Sequence, residues 1–165
     1  MSVELVLGAR RSGKSAWAEA RAVELRIGTY LATAAAHALD AERLAAHRAR
    51  RIGRFVTLEP GDPGELVELV RTVPGGLLLD GLGLWVGWQL SSDHDVSSGE
   101  LVAALARRSS PTIVVSDEVG WSVHPERALA QRFVDELGAL NQAVAAIAAQ
   151  VTLVVAGLPL RLKGA

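Results

Sequence analysis

The sequence predicts an α/β fold, a largely parallel sheet flanked by helices, on three observations. Short apolar runs rich in β-branched residues alternate with longer segments of helical period, the pattern of successive βα units. The first of these runs passes directly into Gly8-Ala9-Arg10-Arg11-Ser12-Gly13-Lys14-Ser15, a full match to G-x-x-x-x-G-K-[ST] set between a strand and a helix. At 165 residues and 50% hydrophobic content, the chain suits one domain with a buried core, so residues 1–165 are expected to form a single unit. Together these specify a RecA-like P-loop NTPase sheet.

The elements follow in order. Strands are predicted at Val3 to Leu7, Thr29 to Thr33, Phe55 to Leu58, Leu77 to Asp80, Thr112 to Ser116 and Thr152 to Ala156, with helices between most of them. After the first strand, Ala16, Ala20, Val23 and Ile27 recur at helical spacing, leaving Glu19, Arg21 and Glu24 to face water. Asp40 to Arg51 also reads as helical. From Pro125, a plausible first helical residue, Leu129, Phe133, Leu137, Leu140, Val144 and Ile147 form one apolar stripe suited to core packing. Ser91 to Gly99 is polar and reads as an exposed loop.

Composition excludes several function classes. The net charge of −1 provides no basic field for nonspecific nucleic-acid binding. The absence of cysteine removes disulfides, thiolate metal sites and cysteine nucleophiles, and fits a reducing cytoplasm. Neither a signal-peptide pattern nor an apolar run of membrane-spanning length is present, so a soluble protein without a membrane span is expected.

Glycines in the Gly8–Ser15 motif let the chain wrap closely around phosphate oxygens with its N–H groups turned inward. Lys14 supplies a cation for the terminal phosphates, Ser15 a hydroxyl for Mg²⁺, and the following helix its N-terminal dipole. The plainer reading is a glycine turn at a strand–helix junction, which the complete motif in its proper context disfavours. Leu77-Leu78-Leu79-Asp80 reads as an apolar strand delivering a carboxylate to the metal side of the nucleotide, or equally as a strand ending in a turn. No Asn-Lys-x-Asp guanine-reading motif is present, which argues against a switch GTPase.

On a helix from Asp40 to Arg51, Arg43, His47, Arg50 and Arg51 fall on or near one face. Neighbouring guanidinium groups would disfavour protonation of His47 and leave an imidazole nitrogen available as a nucleophile. On the residues alone, a solvated basic face compensated by Asp40 and Glu42 is the preferred reading. His37, His94 and His124 read as loop histidines, and no pair has zincin spacing. Asp117-Glu118 follows an apolar strand and reads either as part of a ligand site at the sheet's C-terminal edge or as a turn.

An ordered set of segments then adds a resemblance. It comprises Gly8 to Ser15, Tyr30-Leu31-Ala32-Thr33, His47-Arg48, Thr57-Leu58-Glu59, Leu79-Asp80, Val115-Ser116-Asp117-Glu118-Val119-Gly120, Asn141-Gln142 and Val155 to Leu160. Over nearly its whole length the chain resembles the bifunctional adenosylcobinamide kinase/adenosylcobinamide-phosphate guanylyltransferases of cobalamin synthesis. The resemblance implies phosphorylation of adenosylcobinamide, then transfer of GMP from GTP to adenosylcobinamide phosphate through a guanylylated histidine, a role that falls on His47. It implies GTP, ATP and Mg²⁺ as cofactors, adenosylcobinamide and its phosphate as partners, and a homo-oligomer, trimers being described in the family. It also implies guanine-nucleotide contacts at Ala32, Thr33, Ala34, Arg48, Ala49, Arg50, Arg51, Glu59 and Asp80. Departures from the family pattern fall at Gly81 and Gly83, where Cys and Thr are usual, at Asp117 for Asn, and at Val134 and Gln150 for commonly charged residues. The competing readings are a P-loop small-molecule kinase with no covalent intermediate and a nucleotide-binding regulatory or assembly protein.

Overall fold

The computed structural model describes residues 3–33, 52–92, 98–121 and 126–164. Among them seven strands form one sheet: β1 (Val3–Gly8), β2 (Thr29–Ala32), β3 (Val56–Leu58), β4 (Leu77–Asp80), β5 (Thr112–Asp117), β6 (Gln150–Val155) and β7 (Leu158–Lys163). The helices are α1 (Lys14–Glu24), α2 (Pro63–Thr72), α3 (Leu82–Ser91), α4 (Ser98–Ala106) and α5 (Ala128–Ile147). Strand order is β3-β2-β4-β5-β1-β6-β7. Neighbours are parallel except the final β6–β7 pair, which is antiparallel. The predicted α/β class with a largely parallel, helix-flanked sheet is the observed one.

Near-continuous apolar runs are what a sheet covered on both faces requires. Alternate residues of each run enter opposite cores. Leu5, Leu7, Leu77, Leu79, Val114, Val151 and Leu153 pack with α2, α3, α4 and α5. Val6, Leu78, Ile113, Val115 and Val154 pack with Ala18 and Ala22 of α1. The α2 start is set by Asp62, which accepts from the Glu65 N–H at 2.8 Å, and by Pro63 in the first turn. Fully buried Trp85 of α3 donates its indole N–H to the Pro63 carbonyl at 3.0 Å and so ties α3 to α2.

Several expectations are corrected. The buried side of α1 is Ala18, Glu19 and Ala22, whereas Ala16, Ala20 and Val23 are exposed, and Ile27 is buried beyond the helix end. Alanine stands at every second position from 16 to 22, so the pattern could not single out a face, and the close approach of α1 to the sheet selects the small residues. The predicted loop Ser91 to Gly99 contains the end of α3 and the start of α4. The α5 stripe holds at Leu137, Leu140 and Val144, while Leu129 is exposed. Strand β7 was not expected. Its six residues are all exposed, so no burial alternation marks it, and its partner is supplied by a tight turn at Ala156 (φ 51°) and Gly157 (φ 79°).

Candidate active site

Because the strands from β3 to β6 are parallel, the residues that follow them gather at one sheet edge, the usual ligand edge of open α/β sheets. One strand, β5, lies between the strand that enters the Gly8–Ser15 loop and the strand that ends in Asp80. Gly8 terminates β1 and is buried. A Cβ there would lie on the Ser12 side chain and 2.8 Å from the Val154 carbonyl oxygen. The loop turns through Ala9 to Ser12, closed by the Ser12 N–H on the Ala9 carbonyl at 3.1 Å, with Arg11 in the left-handed region at φ 62°. For a non-glycine residue that conformation carries a steric cost of roughly 1–2 kcal/mol. Gly13 follows at φ 93°, and a Cβ on it would stand 3.1 Å from the Gly157 Cα. The β6–β7 turn thus forms a wall of the loop, and the Gly157 N–H donates to the Ser12 carbonyl at 2.7 Å. Helix α1 begins at Lys14, so its unpaired first-turn N–H groups face the loop.

The side chains of Lys14 and Ser15 diverge to two carboxylates. Lys14 Nζ lies 2.7 Å from Asp117 Oδ1 and 3.3 Å from the Ala9 carbonyl oxygen, with its side chain only 11% exposed. Ser15 Oγ donates to Asp80 Oδ1 at 3.3 Å. The other carboxylate oxygen of Asp80 accepts from the hydroxyl of Tyr30, a fully buried residue of β2. Thr33, also buried, places its hydroxyl 3.0 Å from the Asp80 carbonyl and 2.5 Å from that of Gly81, locking the turn out of β4. Ser15 and Asp80 are therefore adjacent hard oxygen donors beside the loop, a donor set that fits Mg²⁺. Among the described residues no group of three histidine, aspartate or glutamate side chains converges on a common point.

The predicted residues divide accordingly. Gly8, Ala9, Arg10, Arg11, Ser12, Gly13, Lys14, Ser15 and Asp80 come together, with Arg10 and Arg11 exposed on the loop. Ala32 and Thr33 join them at the end of β2, where Ala32 is in register with Asp80. Glu59 is exposed just past β3, on the same edge but four strands from β1, about 19 Å away at the usual strand spacing. Ala34, Arg43, His47, Arg48, Ala49, Arg50 and Arg51 lie outside the described residues, as do His37, His94 and His124. Sequence reading did not anticipate Tyr30 as a partner of Asp80, and it left Asp117 open. Tyr30 carries no local signal, because its hydroxyl meets Asp80 only through the β2–β4 pairing.

Known proteins with similar sequence and structure place this geometry in context. The model of the family described as cobinamide kinase / cobinamide phosphate guanyltransferase matches residues 4–162. The chain is 41% identical over 172 residues to the bifunctional adenosylcobalamin biosynthesis protein CobP of Pseudomonas aeruginosa, covering 98% of this chain and 97% of the relative. With the bifunctional adenosylcobalamin biosynthesis protein CobU of Escherichia coli, identity is 33%, covering 96% of this chain and 98% of the relative. In structure it is similar to the flagellar accessory protein FlaH of Methanocaldococcus jannaschii, at TM-score 0.57 and 12% identity, over 99% of this chain and 78% of that one. That likeness is one of fold alone. No helix among the described residues is long and apolar enough to cross a membrane. On the match of nearly its full length to the family model and to these relatives, the chain belongs to the cobinamide kinase / cobinamide phosphate guanyltransferase family.

Proposed function

We propose that this enzyme phosphorylates adenosylcobinamide and then transfers GMP from GTP to the resulting phosphate, by way of a guanylyl-histidine on His47. The observation that carries the nucleotide half is the Gly8–Ser15 loop itself, where a Cβ on Gly8 would strike the Ser12 side chain and Gly13 sits at φ 93°, with Lys14 held at Asp117 and Ser15 beside Asp80 at its mouth. In the kinase step the substrate hydroxyl forms a bond to the γ-phosphorus, the bond from the β–γ bridging oxygen breaks, and the hydroxyl proton leaves to solvent. Lys14 and the α1 N-terminus neutralise phosphate charge throughout, and holding the triphosphate in line supplies much of the rate. Ser15 and Asp80 would hold Mg²⁺, whose contribution when bound is further charge neutralisation at the phosphates.

In the nucleotidyl step the imidazole nitrogen of His47 attacks the α-phosphorus of GTP and pyrophosphate leaves. A phosphate oxygen of adenosylcobinamide phosphate then attacks the same phosphorus and frees the histidine, giving adenosylcobinamide-GDP. Arg43, Arg48, Arg50 and Arg51 neighbour His47 in sequence and would favour its neutral form and attract the nucleotide; Ala34 and Ala49 complete the proposed guanine-nucleotide contacts. Glu59, at the far end of the ligand edge, fits a role at the base or ribose rather than at the phosphates reached from β1.

The chain is proposed to act as one domain without nucleic-acid partners, and as a homo-oligomer in the cytoplasm. Oligomerisation is supported by Leu158, Leu160 and Leu162 of β7, exposed at 72%, 57% and 55%. The test is covalent labelling. With α-labelled GTP and Mg²⁺, wild type should retain label after denaturation, γ-labelled GTP should leave none, and His47→Ala should lose the adduct while still binding nucleotide. The adduct should be acid-labile and base-stable, as a phosphorus–nitrogen bond to imidazole is. Wild-type labelling of His47→Ala would refute the assigned nucleophile. A wild-type protein that transfers γ-phosphate and never takes α-label would make the enzyme a plain kinase.

A further inference from the structure

Asp117 closes β5 at the point where three other elements converge on it. Strand β1 lies beside it in register, Gly8 opposite Asp117, and the Glu118 N–H donates to the Gly8 carbonyl at 3.1 Å. From α5, buried Asn141 donates its side-chain amide to the Asp117 carbonyl oxygen at 3.0 Å, fixing the backbone from the other side. From the start of α3, Gly83 leaves room for the carboxylate: a Cβ there would fall 2.6 Å from Asp117 Oδ2. The carboxylate so held reaches Lys14 Nζ at 2.7 Å. The Asp117 side chain is 33% exposed, so it stands at the site's mouth and not in the core.

We propose that Asp117 is a positioning residue for Lys14, an internal carboxylate that holds the ammonium at the loop and that an incoming phosphate must share or displace. The proposal rests on the reading of Lys14 as the phosphate-binding lysine. A lysine head on four methylenes has many rotamers, and an anchored carboxylate selects one of them before nucleotide arrives. The same negative charge opposes the phosphate that competes for the ammonium. Preorganisation and competition act on different measurable quantities. Removing the charge therefore tightens ground-state binding of triphosphate and slows transfer, because the freed ammonium is no longer held where charge develops. A residue serving only to hold the fold would weaken both.

The decisive variant is Asp117→Asn, which keeps the shape and the acceptor oxygen and removes the charge. GTP affinity by calorimetry should rise about 3–10-fold, from the loss of one partly exposed competing charge. The kcat for phosphoryl transfer should fall about 10-fold, as expected for a misplaced but present catalytic cation. Glu100→Gln on α4, with the same change in net charge, should leave GTP affinity unchanged. Gly83→Ala should shift affinity and kcat in the same directions as Asp117→Asn by pushing the carboxylate off Lys14, and gives the test a second route if Asp117→Asn does not fold. Unchanged or weaker GTP binding by the folded Asp117→Asn protein, or wild-type kcat, overturns the proposal. A folded Lys14→Ala protein that binds GTP as wild type does would overturn the underlying phosphate-loop reading as well, a result distinct from any obtained with Asp117 alone.

Discussion

Replacing Asp80 by asparagine separates chemistry from folding, and both effects can be sized from the contacts. Asp80 accepts from Ser15 Oγ at 3.3 Å and from the hydroxyl of buried Tyr30. Asparagine keeps one acceptor oxygen. Its oxygen can stay with the buried Tyr30 hydroxyl while its amide nitrogen faces Ser15 Oγ, which accepts and, only half-buried, turns its own proton to water, so no buried donor is stranded. The loss of charge assistance on two hydrogen bonds, one of them long, leaves a stability cost of about 1–2 kcal/mol. For a chain of this size that is a fall in melting temperature of about 2–8 °C. At assay temperature nearly all the protein remains folded, so destabilisation alone removes almost no activity. If the carboxylate helps hold the metal against the phosphates, transfer should instead fall about 10²–10³-fold, the usual loss on deleting one preorganised electrostatic group. Thermal unfolding and single-turnover transfer of γ-label, measured on the same preparation, decide the matter. Tyr30→Phe is the companion: it removes one donor to the same carboxylate and should cost about 1 kcal/mol with little loss of transfer. A loss of transfer in Asp80→Asn no larger than in Tyr30→Phe would refute the reasoning and leave Asp80 as a turn residue.

Lys14→Ala should weaken GTP binding about 10–100-fold, the worth of one to two charge-assisted contacts, as read by calorimetry. Arg108 gives a purely structural contrast. Its guanidinium donates to the Val70, Val73 and Gly75 carbonyls at 2.8, 3.0 and 2.5 Å and to Thr112 Oγ1 at 2.9 Å, and burial lowers its pKa. Arg108→Ala should cost about 2–4 kcal/mol in urea unfolding and leave nucleotide affinity unchanged, since these contacts lie at the strand starts, opposite the ligand edge.

What the sequence disclosed about the fold follows the burial of each element. β4 was read at its observed limits because Leu77, Leu78 and Leu79 are buried on both faces and the run is bounded by Gly76 and Gly81. β7 escaped although Leu158, Leu160 and Leu162 alternate with Pro159, Arg161 and Lys163, because Pro159 within the run argues against a strand and no buried face follows the alternation. The α1 face escaped because alanine surrounds the helix, and the burial of Glu19 runs against the usual sign of a charged residue. At the site, the local motif is legible as far as Lys14 and Ser15, since the loop's tightest conformational needs fall on Gly8 and Gly13 within one short segment. Partners brought in by topology were not: Tyr30 stands 50 residues from Asp80 and Asn141 24 from Asp117. Gly83 and Asp117, each a departure from the family pattern, face one another.

The wall that the β6–β7 turn gives the phosphate loop has a consequence for the order in which this protein matures. β1 is flanked by β5 and β6, and the Ser12 carbonyl is satisfied by the N–H of Gly157. Both flanking strands leave the ribosome long after β1, so the loop emerges early with its glycines free and nothing to shape it. Such non-local pairing is slow to form and exposes apolar strands while it waits. Competence to hold a triphosphate thus arrives late, with the β6–β7 hairpin. Nascent chains halted before Gln150 should carry the entire Gly8–Ser15 motif and still fail to retain nucleotide.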